Sequence, residues 1–186
     1  MKINLKNRIT FISGLNNSGK SYFVKNKIMN DYNCLVHDVL KEYDEKQADV
    51  FQPQKNNYPG IAEENEKFLQ KIVIPNSNKY DLLVWEEASR IFPNRKELFP
   101  VMRSFFDTYR HYDELGLVFI CRRPAQIFSD IPNLSHYLIC FGNKGRADIQ
   151  TFNNVSDGLG DAVKELSDYH YIFVDEDRSF KRMNPV

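Results

Sequence analysis

The 186-residue chain lacks several features that would narrow its function at once. It has no net charge: 25 Lys and Arg balance 25 Asp and Glu. The surface as a whole is therefore not a basic footprint, and any nucleic-acid contact must be local or built by several copies. It has no long hydrophobic run, since stretches such as 117–121 and Tyr137–Phe141 fall far below the about 20 residues of a membrane helix. Residues 1–8 are polar, so no secretory signal is expected. Cysteine is scarce. Cys34, Cys121 and Cys140 each sit inside an apolar run, none in C-x-x-C spacing, which suits small buried thiols in a reducing, cytoplasmic setting. There is no internal repeat, low-complexity tract or long linker, and the length suits one domain over residues 1–186.

Glycine is sparse as well, eight in all, yet two fall in one short stretch: Gly14-Leu15-Asn16-Asn17-Ser18-Gly19-Lys20-Ser21. This is G-x-x-x-x-G-K-S, the phosphate-loop pattern, which a random chain of this length matches roughly once in a hundred. An alternating apolar run, Arg8 to Ser13, precedes it and reads as a strand. Residues 22–30 follow, with Phe23, Val24, Lys27 and Ile28 at helical spacing. Strand, loop and helix start together form an anion cradle, in which free N–H groups and the positive end of the helix dipole face phosphate oxygens. Gly14, Asn16, Asn17, Ser18, Gly19, Lys20 and Ser21 are the expected nucleotide contacts. Lys20 reaches the β- and γ-phosphates, and the Ser21 hydroxyl ligates Mg²⁺.

Five apolar runs read as buried parallel strands: Ile9–Ser13, Cys34–Asp38, Leu82–Glu86, 117–121 and Tyr137–Phe141. Helical spacing is expected over 61–73, 100–112 and 157–167, and 169–174 reads as a sixth strand at the sheet edge of an α/β fold. The polar, turn-rich stretch 51–60 reads as a loop. Alternating strand and helix imply right-handed crossovers and a ligand site at the strands' carboxyl ends.

The strand Leu82–Glu86 ends in two adjacent carboxylates. A first carboxylate at a strand tip beside a phosphate loop can hold Mg²⁺, and a second, one residue on, can orient and polarise the attacking water. Glu86 is assigned to the metal and Glu87 to the water; the plainer alternative is two solvated carboxylates at a helix start.

The run WEEASRIFP at 85–93 resembles the "DEAHRFFP" stretch of the FtsK/HerA superfamily of P-loop motor ATPases. Tyr109-Arg110-His111-Tyr112-Asp113-Glu114-Leu115-Gly116, leading into a strand that ends Cys121-Arg122-Arg123-Pro124, is similar to that family's "GRHxG" element and "TQRP" strand end. His37-Asp38 with Glu42-Tyr43 is similar to its "hDxxxEY" signature. The resemblance spans roughly residues 9–141. It implies a three-layer P-loop NTPase with a mainly parallel central sheet, of the additional-strand catalytic-glutamate type. It further implies an ATP- and Mg²⁺-dependent motor that translocates nucleic acid as a homo-oligomeric ring such as a hexamer. The chain's brevity is most like the small viral genome-packaging ATPases, which implies a capsid vertex as partner, double-stranded DNA as substrate, and the host cytoplasm or virion as location.

By the resemblance Arg110 stands where the family's trans-acting arginine finger lies; the alternative is a helix-surface ion pair with Asp107. The family's polar sensor is replaced by Arg122, which either meets the phosphate as a cis-acting cation or is a surface residue. Lys55, Lys144 and Arg146 are the candidate nucleic-acid contacts, binding phosphates without sequence preference. Two other classes stay open: an assembly ATPase that moves protein, as in filamentous phages, and a small-molecule P-loop kinase. A GTPase is disfavoured, because Asn143-Lys144-Gly145-Arg146 lacks the Asp of an N-K-x-D guanine site.

Overall fold

The computed structural model describes residues 4–186; the first three residues of the polar start lie outside it. One eight-stranded sheet runs through it, in the order β3-β2-β4-β5-β1-β6-β7-β8. The strands are β1 (Ile9–Ser13), β2 (Cys34–Asp38), β3 (Asp49–Phe51), β4 (Leu82–Glu86), β5 (Gly116–Cys121), β6 (Tyr137–Phe141), β7 (Tyr171–Val174) and β8 (Phe180–Met183). β3 to β6 in that spatial order are all parallel, while β7 and β8 form an antiparallel hairpin on the β6 side.

The parallel strands are apolar on both faces because both faces are covered. Phe11, Leu83, Trp85, Leu117 and Phe119 point to one face, where Trp85 and Phe119 stack with ring centres 4.7 Å apart. That layer is completed by α2 (Gly60–Phe68) and α3 (Pro100–Thr108), the Trp85 indole N–H donating to Asn65 Oδ1 at 2.8 Å. Ile12, Val36, Val84, Val118 and Ile120 fill the other face under α1 (Lys20–Phe23) and the residues that continue it. The three layers follow from this alternation, and the fold is that of a P-loop NTPase with a mainly parallel sheet.

Three expectations need correction. The expected loop 51–60 gives up Phe51 to the short strand β3 and Gly60 to α2, and Lys55 lies in the loop between them. The 169–174 run starts as a strand only at Tyr171, because Tyr169 has φ 64°, and β8 rather than β7 is the edge strand. The helix expected over 157–167 is shorter, α6 (Leu159–Lys164), and a further helix, α5 (Arg146–Val155), precedes it. A short helix, α4 (Asp130–Leu134), leads into β6. All three cysteines are buried thiols without disulfides.

Candidate nucleotide site

The loop between β1 and α1 is shaped by where it packs. A Cβ on Gly14 would stand 2.5 Å from Phe141 Cβ, so only glycine lets the loop lie against the end of β6. Gly19 has φ 105°, a backbone state other residues rarely adopt, and it turns the chain into α1. The first helical N–H groups have no intrahelical acceptor. Ser18 Oγ is buried there with no partner, an orphan donor inside an anion cradle. Lys20 is buried and donates from Nζ to the Leu15 carbonyl at 2.8 Å. Burial lowers its pKa, against the attraction of Glu86.

The two carboxylates at the tip of β4 take different surroundings. Glu86 is buried beside Asp38, its partner in the β2–β4 ladder. Tyr43 donates its hydroxyl to Glu86 Oε2 at 2.8 Å, and its backbone N–H donates to Asp38 Oδ2 at 2.9 Å. Burial, with the nearby Glu42 and Glu87, holds Glu86 up at about 7 against the pull of Tyr43 and Lys20. The Ser21 hydroxyl donates to Glu42 Oε2 at 3.0 Å. Glu87 sits in the left-handed region, φ 50° and ψ 48°. It accepts from Arg122 Nε at 2.7 Å and from the Ser89 hydroxyl at 3.1 Å.

Arg122 therefore is not an isolated surface residue. It leaves the end of β5 and pairs with Glu87, and both line one cavity of about 590 Å³ with the phosphate loop from Asn16 to Ser21. Its loop is tied down from behind. Asn143 Nδ2 donates to the Arg122 carbonyl at 3.2 Å, and Asp148 accepts from Arg123 Nε at 3.2 Å and from the Ala125 N–H at 3.1 Å. A second, open basin of about 980 Å³ adjoins it and brings Arg90, Arg95, Arg122 and Arg123 around Leu15 and Asn16.

Arg110 lies elsewhere. α3 ends at Thr108, and Arg110 sits on the tighter turn Tyr109–His111, which removes the helical spacing a pair with Asp107 needs. Its guanidinium lies over the Tyr109 ring and beside His136 Nε2, at 3.1 Å. His136 Nδ1 accepts from the Ile9 N–H at 3.0 Å, so a neutral ring carries its proton on Nε2 and cannot accept from Arg110. Among the described residues Arg110 makes no ion pair. Ile9 opens β1 and the phosphate loop follows its other end. The four steps along this five-residue strand, at about 3.3 Å each, put Arg110 about 13 Å from the carboxyl edge, out of reach of its own site.

Lys55 and Lys144 are exposed, and Arg146 is exposed at the start of α5 rather than inside a free loop. No cluster of three or more His, Cys, Asp or Glu able to hold a metal occurs among the described residues. A magnesium ion held by one hydroxyl, one carboxylate and substrate phosphates does not require such a cluster, and Ser21 with Glu86 suits that manner of binding. Sequence reading named Asp38, Glu42 and Tyr43 only as a signature and missed the grip of Glu42 on Ser21, the Asp38–Tyr43 support of Glu86, and Ser89, Asn143 and Asp148. Ser89 acts on Glu87 two residues away, while the others act across fold contacts. No helix among the described residues is long and apolar enough to cross a membrane.

No family model matches the sequence, and no curated protein matches it. Solved structures do. The genome-packaging NTPase B204 from Sulfolobus turreted icosahedral virus 2, in complex with ATP-gammaS, superposes with a TM-score of 0.82 at 19% identity, over 98% of this chain and 99% of that one. B204, the DNA-packaging ATPase from Sulfolobus turreted icosahedral virus, gives 0.75 at 18% identity, over 99% of this chain and 100% of that one. The N-terminal domain of zonular occludens toxin from Neisseria meningitidis gives 0.55 at 11% identity, over 97% of this chain and 95% of that one. The resemblance read from the sequence thus meets the same small packaging NTPases in three dimensions, and the chain has a P-loop NTPase fold of their kind.

Proposed function

We propose that the chain is an ATP-hydrolysing motor that moves nucleic acid, a viral genome-packaging ATPase working as a homo-oligomeric ring. The observation that carries this reading is the position of Glu86 and Glu87 at the tip of β4, separated from the phosphate-loop strand by β5 and facing Lys20 across one cavity. A carboxylate pair there serves attack by water. A kinase needs no second carboxylate and needs an acceptor pocket instead.

In this reading the loop amides from Asn16 to Ser21 and the Lys20 ammonium hold the β- and γ-phosphates. Ser21 and Glu86 hold magnesium, which when bound neutralises phosphate charge. Glu87 takes the proton of the attacking water. To do so it must let go of Arg122, and a bound γ-phosphate offers that guanidinium a second anion. Arg122 exchanging Glu87 for phosphate would free the base as the substrate arrives. Arg110, unpaired and at the far edge of its own sheet, completes the site of a neighbouring copy. Lys55, Lys144 and Arg146 contact the DNA backbone, residues 1–186 act as one ATPase domain, and the ring docks on a capsid vertex in the host cytoplasm.

The second reading left open by the sequence is an assembly ATPase, a motor that moves protein. ATP hydrolysis measured against added double-stranded DNA and against protein concentration separates them. A rise with both supports the packaging motor. A rise with concentration alone supports the second reading, and a rise with neither contradicts both.

A further inference from the structure

The cavity that holds the phosphate loop has two ends, fixed by the order of the strands. Glu86, Glu87 and Arg122 lie on the β4–β5 side of β1, while β6 and β7 lie on its other side. A nucleoside triphosphate with its γ-phosphate at the carboxylates must therefore send its sugar and base toward the β6–β7 side. That side carries Tyr169. Because β7 runs antiparallel to β6, pairing Tyr171 with Phe141, the loop that precedes β7 arrives at the same carboxyl edge as the phosphate loop. A parallel β7 would have delivered that loop to the opposite edge.

Tyr169 has the features of a side chain held ready for a flat ligand. It lines the phosphate cavity, with its Cδ1 3.5 Å from the Cβ position of Gly19. The residue is 52% exposed, and its φ of 64° is a state that a bulky residue enters at a cost. The turn is secured around it: His170 N–H donates to the Ser167 carbonyl at 3.2 Å, and Arg182 Nη2 donates to Ser167 Oγ at 3.1 Å. Tyr22, the residue after Ser21, lines the same cavity and is 56% exposed. Burial does not account for either tyrosine, since both keep half their surface in solvent beside a cavity of nucleotide size.

We infer that Tyr169 is the base-stacking residue of the nucleotide site, with Tyr22 flanking the same end, and that the site selects purine nucleotides by stacking rather than by reading the base edge. This rests on the phosphate loop binding a triphosphate, as proposed above. A purine presents a larger π-face than a pyrimidine, so ATP and GTP bind alike and both bind more tightly than CTP or UTP.

The test compares ATP with inorganic tripolyphosphate, each with Mg²⁺, by calorimetry on the whole chain. Tyr169→Asn removes the ring but suits the left-handed backbone, and Tyr169→Phe keeps the ring. Tyr169→Asn is expected to weaken ATP about tenfold, leave tripolyphosphate unchanged and abolish the purine preference, with Tyr169→Phe like wild type. An unchanged ATP affinity in Tyr169→Asn, or equal losses for ATP and tripolyphosphate, would overturn the stacking role. Wild-type protein that binds neither compound would instead overturn the phosphate-loop reading, and the base site with it.

Discussion

At the carboxyl edge of the sheet, Lys20, Ser21, Glu42, Glu86, Glu87 and Arg122 converge on one cavity, where Ser21 meets Glu42, Arg122 meets Glu87 and Lys20 meets the loop carbonyl of Leu15. At the amino edge, Arg110 rests on Tyr109 and against a histidine whose ring cannot accept from it. One edge gathers the groups proposed to bind phosphate and activate water, and the other offers a cation that makes no ion pair among the described residues. In a closed monomer such a cation has no evident use. In a head-to-tail ring it is delivered to the next copy's site, because a heterologous interface brings different faces of one molecule together.

The contrast can be broken from either edge. Arg110→Ala is expected to cost the most, about 10³–10⁵-fold in kcat with nucleotide affinity kept. A steady-state assay beside a binding titration checks this; a loss below tenfold would leave the amino edge without a catalytic part. Glu87→Gln comes next, at about 10²–10⁴-fold in hydrolysis with ATP binding spared, and surviving activity would remove its role as base.

The third prediction uses pH. Burial raises Glu86 from 4.5 to about 7, so the folded chain binds a proton there that the unfolded chain releases. The associated stability is present below pH 4.5 and is lost as pH rises to about 7, an effect of about 3 kcal/mol. His37, lowered from 6.5 to about 3 by burial, works in the opposite sense, gaining stability as pH rises through that range. The difference between wild type and Glu86→Gln isolates the carboxylate: the variant should gain on wild type between pH 4.5 and 8 in denaturant melts. A pH-independent difference would mean Glu86 is not the buried acid described. The smallest effect is expected for the surface cations. Lys144→Ala with Arg146→Ala should lower the salt dependence of DNA binding by about two contacts' worth, leaving DNA-free hydrolysis unchanged.

How much of this was legible in the sequence depended on how far apart the partners lie. β1, β2, β4 and β6 were legible to the residue, because strands buried on both faces are continuous apolar runs. β3 has only three residues and β8 is a mostly exposed Phe-Lys-Arg-Met, so neither carries such a run. α5 was missed because it buries only Phe152 and an acid, Asp148, whose burial depends on Arg123. The Tyr-His-Tyr start of the 169–174 run carries strand propensity, yet the left-handed Tyr169 ends the loop two residues later than the pattern implies. The phosphate loop and the carboxylate pair were local patterns and could be read directly. The Arg122–Glu87 pair, 35 residues apart, and the contact of Arg110 with His136, 26 apart, needed the fold.

The central claim, that one chain's amino edge completes another chain's carboxyl edge, is tested most directly by mixing two inactive variants. Arg110→Ala keeps its own Glu87, and Glu87→Gln keeps its own Arg110. At equal concentrations about a quarter of randomly formed interfaces pair an intact Arg110 with an intact Glu87, so ATP hydrolysis should return to about a quarter of the wild-type rate. Hydrolysis no higher than that of either variant alone would contradict the account.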